Sequence, residues 1–136
     1  MFGKTEKHTG WLEGVALFEG FSHEELQRVA ELGEEVDFDA GAVVVDQGDP
    51  GLDCYVVAEG IASVYVAGDY VAAIRPGSMI GEMALVDHRP RNATVVADTP
   101  MRLLRLRSQA FRTLLDEMPK ASERVMAILT ARLRRS

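Results

Sequence analysis

The chain has 136 residues, 47% of them hydrophobic and 26% charged, with a formal net charge of −6. That length fits one domain that buries a core without covalent staples, and the acid excess disfavours nucleic acid as a whole-surface partner. The single cysteine, Cys54, excludes an intramolecular disulfide and a cysteine-built metal centre.

The first residues, Met1 to Lys7, lack the apolar run of a signal peptide, and no stretch reaches the length of a membrane span. A cytoplasmic protein without membrane contact is expected. In chain order, Trp11, Val15 and Phe18 stand at helical spacing, with Leu12 beside them. A second helix is predicted after Ser22, which forms a capping box with Glu25 and lies beside a Phe21/Leu26 hydrophobic staple. Leu26, Val29 and Ala30 make its buried stripe, and Gly33 is expected to end it in the left-handed conformation.

From Glu35 to Arg107 the period shortens. Strand-like runs are centred on Val36, Val44, Val56, Tyr65, Ala72, Val95 and Leu104. Turn signals separate them, among them Gly68-Asp69, read as a tight hairpin turn. Cys54 lies in one of these runs and reads as a small buried hydrophobe. Many short, evenly punctuated strands predict an antiparallel barrel, sandwich or jelly roll. Helical period returns at Ser108, an expected cap for Phe111, Leu114, Leu115 and Met118. Pro119 stops that helix and starts another carrying Val125, Met126, Ile128, Leu129 and Leu133. The terminal arginines suit a helix C-terminus and lack the interleaved aromatics of a nucleic-acid patch.

One segment, residues 77–95, does not read as an ordinary loop. Gly81 lets the backbone approach a ligand. The one-turn helix expected at Glu82-Met83-Ala84-Leu85 offers free N–H groups to an anion. Arg91 carries a forked, permanently charged donor set that matches phosphate oxygens. Glu82 is an acceptor for sugar hydroxyls, so the ligand expected has both phosphate and ribose. The competing reading is a plain turn followed by a solvated arginine. His8, His23 and His88 lack metal-site spacing, and no nucleophile–base motif is present, so no enzyme activity is expected.

Gly81-Glu82-Met83-Ala84-Leu85, followed by Pro90-Arg91-Asn92-Ala93-Thr94-Val95, resembles the phosphate-binding cassette of cyclic-nucleotide-binding domains. That family includes regulatory subunits of cyclic AMP-dependent kinase, the catabolite activator protein and cyclic-nucleotide-gated channels. Gln47-Gly48-Asp49, Gly41, Tyr55-Val56-Val57 and Gly60 resemble its early-strand landmarks, and the likeness runs from about Leu17 to the end.

The resemblance implies an α+β fold. An eight-stranded antiparallel β-roll, of the double-stranded β-helix or jelly-roll type, would be flanked by N-terminal helices and two C-terminal helices. Residues 1–136 would form a single domain: a helical element at 1–34, the roll at 35–107 and C-terminal helices at 108–136. It implies that Arg91 pairs with the exocyclic phosphate oxygens and that Glu82 accepts from the ribose 2′-hydroxyl. Gly81, Met83, Ala84, Asn92 and Ala93 would complete the cradle, and Ile80, Leu85 and Val95 are candidates for its apolar wall. The last helix would act as a lid, with Leu129, Arg132 and Leu133 as its contacts; in the alternative they only pack that helix onto the barrel. Cyclic AMP binders often have alanine or serine at the position of Asn92, and threonine there is associated with cyclic GMP. The absence of threonine leans towards cyclic AMP, with cyclic GMP as the alternative ligand and no other cofactor.

The functional expectation is a sensor that changes its C-terminal helix on binding and acts on a protein effector. A homodimer through that helix is compatible with the sequence. Two alternatives stand beside it: a ligand-free interaction domain of the same fold, or a fragment of a catabolite-activator-like transcription regulator. A helix-turn-helix would follow the last helix, and the sequence to Ser136 leaves no room for one, so direct nucleic-acid binding is not expected.

Overall fold

The computed structural model describes residues 10–82 and 90–135. The described residues begin with two 3-10 turns, Gly10–Gly14 and Ala16–Phe18, where the apolar spacing predicted one continuous helical segment. Glycines at positions 10, 14 and 20 oppose longer helix, yet Leu12, Val15, Leu17 and Phe18 are still buried. Helix α1 (His23–Leu32) starts on the predicted capping box: the Glu25 amide donates to Ser22 Oγ and the Ser22 amide donates to the Glu25 carboxylate. Such a cap contributes about 1 kcal/mol.

Eight strands follow: β1 (Glu34–Phe38), β2 (Val43–Val45), β3 (Asp53–Glu59), β4 (Ala62–Val66), β5 (Asp69–Ile74), β6 (Met79–Ile80), β7 (Thr94–Ala97) and β8 (Met101–Arg107). They form two antiparallel four-stranded sheets, ordered β1-β8-β3-β6 and β2-β7-β4-β5. Helices α2 (Ser108–Glu117) and α3 (Pro119–Arg135) close the fold, with Pro119 at the first helical position as predicted. This is the α+β roll with flanking helices that the sequence led us to expect. Among the described residues no helix is long and apolar enough to cross a membrane.

There are two cores. One lies under the helices and joins Leu12, Phe18, Leu26, Val29, Phe111, Leu114, Val125 and Leu129 to Cys54, Val56, Leu104 and Leu106. The other fills the roll and includes Val44, Val57, Ala62, Ile80, Val95, Met101 and Leu103.

Three local expectations are corrected. Gly33 is extended, at φ −84° and ψ 171°, not left-handed. A Cβ there would come within 2.6 Å of the Leu104 side chain, so close packing onto β8 requires the glycine. The β4–β5 turn is centred on Ala67 (φ 52°) and Gly68 (φ 86°), one residue earlier than read, and Val66 pairs with Asp69 across it. Two positive φ values match the twist of a two-residue hairpin. Ser108 is the first residue of α2; Arg107 occupies the cap position and makes no side-chain capping bond.

A forked ion pair ties α1 to α2: Arg28 Nε and Nη2 donate to the two Glu117 oxygens at 2.6 and 2.8 Å. Arg105 on β8 donates from Nε and Nη2 to a single Glu34 oxygen, Oε1, on β1. Hydrogen bonding by these arginines holds both carboxyls below their ordinary value of 4.5. A folded-state value below the unfolded one means stability that is complete above pH 4.5 and lost as pH falls through the folded-state value. The thermal midpoint should therefore fall on acidification below about pH 4.5. Glu117→Gln should flatten that acid limb, and added salt should mimic it, because the pair is exposed. A midpoint–pH profile of parent and variant, at two salt concentrations, measures this.

Candidate functional site

The site is assembled where β3, β6 and the approach to β7 meet. Strand β6 is only two residues long and gives too short a pattern to be read from sequence. Its pairing, Ile80 with Tyr55 and Met79 with Val56, anchors the next residue, Gly81. Gly81 has φ +75°, a conformation that disfavours any side chain. A Cβ at Gly81 would overlap the guanidinium of Arg91. The glycine and the arginine singled out by the sequence are thus packed directly on each other.

Arg91 is half-buried and held at both ends. Its amide donates to the Asp49 carbonyl, and its carbonyl accepts from the Gly48 amide, both at 2.8 Å. Its Nη2 donates to the Asp53 carbonyl. The loop running from β2 to β3 therefore grips the backbone of Arg91, and the first residue of β3 grips its guanidinium. In the sequence Gly48 and Asp49 are landmarks of an early strand, and Asp53 carries no signal of a site residue. A backbone carbonyl leaves no mark in residue identity, so the Asp53 contact could not have been read there.

Arg91 borders a cavity of about 340 Å³ with Asp46, Asp49, Leu52, Asp53 and Tyr55. Glu82 borders a different one, about 310 Å³, with Gly14 to Leu17 and Gly77 to Met79. Both lie at the small end of ligand pockets. The Arg91 guanidinium lies against Gly81, the residue before Glu82, and both charged groups act on the Cys54 thiol. Burial first, then the Glu82 carboxylate, pushes that thiol up to about 12, with Arg91 opposing. Cys54 is fully buried and stays protonated.

Ile80 and Val95 are 3% and 4% exposed and belong to the roll core. Ala93 is half-buried and Asn92 exposed. Leu129, expected as a lid contact, is 0% exposed within the helical core, so it packs the helix and presents no face to a ligand in this structure. Met83, Ala84 and Leu85, and the side chains of Arg132 and Leu133, lie outside the described residues.

A family model described as "Cyclic nucleotide-binding domain" matches residues 35–118. Among curated proteins, the cAMP-dependent protein kinase regulatory subunit of Pyricularia oryzae is 32% identical over 116 residues, 84% of this chain and 30% of that protein. The subunit of the same name from Emericella nidulans is 30% identical over 116 residues, covering 84% and 28%. The chain thus spans under a third of the length of these relatives. Among solved structures, the N-terminal domain of a transcriptional regulator from Streptomyces coelicolor superposes with a TM-score of 0.83 at 28% identity, covering 92% of this chain and 93% of that one. The Thermus thermophilus catabolite activator protein gives 0.76 at 30% identity, covering 88% and 58%. With its roll, its paired Gly81 and Arg91, and a family match across most of the strands and α2, the chain belongs to the cyclic nucleotide-binding domain family.

Proposed function

We propose that this domain binds cyclic AMP as a regulatory sensor in the cytoplasm and performs no catalysis itself. The observation that carries the reading is the guanidinium of Arg91 set against the bare backbone of Gly81, with its main chain held by the β2–β3 loop and its Nη2 by the Asp53 carbonyl. A cation ordered before the ligand arrives loses little side-chain entropy on binding. Its fork matches two phosphate oxygens. Glu82 is the acceptor assigned to the ribose 2′-hydroxyl, one residue beyond the Gly81 backbone on which the Arg91 guanidinium rests. Binding that favours a closed arrangement over an open one shifts α3 by its difference in affinity for the two. The curated kinase regulatory subunits favour a protein effector.

A second reading, the sensor part of a transcription regulator, is supported by the Streptomyces domain, 93% of which is covered by this chain. Nucleic-acid contact would then fall to a segment other than the roll.

Thermal-shift and calorimetric titrations with cyclic AMP and cyclic GMP test the proposal. At a ligand concentration one hundred times Kd, stabilisation should be about 2.7 kcal/mol, a rise of roughly 10 °C for a domain of this size. No shift with either nucleotide at millimolar concentration overturns it and favours a ligand-free interaction domain.

A further inference from the structure

Arg91 owes its position to the loop between β2 and β3, so the question is what holds that loop. It turns at Gly48, whose φ is +93°, and its internal closure is a single bond from the Asp49 amide to the Asp46 carbonyl at 3.1 Å. The external support comes from Thr94, the first residue of β7 and three residues beyond Arg91. Its hydroxyl accepts from the Gln47 amide at 3.0 Å and donates to Asp46 Oδ1 at 2.8 Å. One hydroxyl thus uses both its donor and an acceptor lone pair on consecutive residues of the loop. Gln47 continues the chain outward: its side-chain oxygen accepts from the Ala67 amide at 2.9 Å. Ala67 is the one non-glycine with positive φ among the described residues. Thr94, the Asp46–Asp49 loop and the β4–β5 turn are therefore linked in series, with Arg91 on the inner end.

We propose that Thr94 is a positioning residue for the nucleotide site, its hydroxyl pinning the loop whose Gly48 and Asp49 fix the backbone of Arg91. This rests on the proposed function for the meaning of the site, but the pinning itself does not. Thr94 does not have to touch the ligand to act: its effect passes through the two 2.8 Å bonds that set the Arg91 main chain. A displaced main chain would move the guanidinium off Gly81 and away from the phosphate.

The test compares parent, Thr94→Val and Thr94→Ser by calorimetry with cyclic AMP and by hydrogen exchange at the amides of Gln47, Gly48 and Arg91. Valine keeps the branched shape and suits a strand, so folding is preserved. T94V should bind about three- to tenfold more weakly and exchange faster at those three amides, with T94S close to the parent in both. Equal affinity for T94V and the parent, or T94S impaired as much as T94V, overturns the proposal. A parent that binds no cyclic nucleotide defeats the functional reading instead. Amide exchange then decides the pinning alone: protection in T94V equal to that of the parent overturns it.

Discussion

Replacing Arg91 with alanine should abolish most cyclic-nucleotide affinity while leaving the fold standing. A hydrogen bond from a charged group contributes about 1.5–3 kcal/mol, and the guanidinium can offer two to a phosphate. Losing one such bond weakens binding roughly ten- to a hundredfold, and losing a bidentate pair should exceed a hundredfold. Arg91→Lys keeps the charge but loses the fork and the contact with the Asp53 carbonyl, so an intermediate affinity is expected. The main-chain bonds of residue 91 to Gly48 and Asp49 survive both substitutions, and the ligand-free thermal midpoint should move by only a few degrees. Calorimetry on the three proteins reads the first effect and scanning calorimetry the second. Parent-like affinity in R91A would remove the arginine from the site.

The largest loss of stability is expected at a position far from the ligand. Gly60, between β3 and β4, has φ +97°. A Cβ there would stand 2.5 Å from the Pro100 carbonyl oxygen and 2.9 Å from Met101 Cα. Both obstacles are backbone and cannot rotate away. Gly60→Ala therefore combines backbone strain, about 1–3 kcal/mol, with overpacking, about 1–3 kcal/mol. The thermal midpoint should drop by roughly 10–20 °C. A change of under 3 °C, about 1 kcal/mol, would mean that the β3–β4 and β7–β8 turns do not press on each other as described. Gly41, whose Cβ direction is open, is the control that isolates the strain contribution.

The parts of the fold legible in the sequence were those in which a local rule and the tertiary structure agree. Ser22 and Glu25 satisfy each other across one helical turn, so their pattern is a physical unit by itself. The β-rich runs Tyr55-Val56-Val57 and Leu103-Leu104-Arg105-Leu106 read as strand, and they are largely apolar because β3 and β8 face a core on both sides. Elsewhere the deciding contact lay far along the chain. Gly33 was read as a helix stop, yet Leu104, seventy-one residues on, is what forbids a side chain there. The position of Leu129 late on α3 leaves lid contact and plain packing both open; that it shares a core with Leu12 and Val15, at the other end of the chain, is visible only in three dimensions.

The candidate site divides in the same way. Gly81 and Arg91 carry their chemistry in their identities, and their pairing was anticipated. Thr94 was quoted as part of the motif without a role, because a hydroxyl's partners are set by where two loops come to rest. The void that Arg91 borders with Asp46, Asp49 and Tyr55 was equally beyond reach, since only three-dimensional packing decides which void a side chain borders.

Strands β3 and β8 carry apolar residues on both faces. Cys54, Val56, Leu104 and Leu106 serve the helical side, while Val57, Met101 and Leu103 serve the barrel. Side chains one peptide bond apart thus answer to different neighbourhoods across a shared partition. Interiors packed to crystal density deform little. A small displacement of either strand by events within the barrel is therefore expected to alter the packing beneath the helices as well.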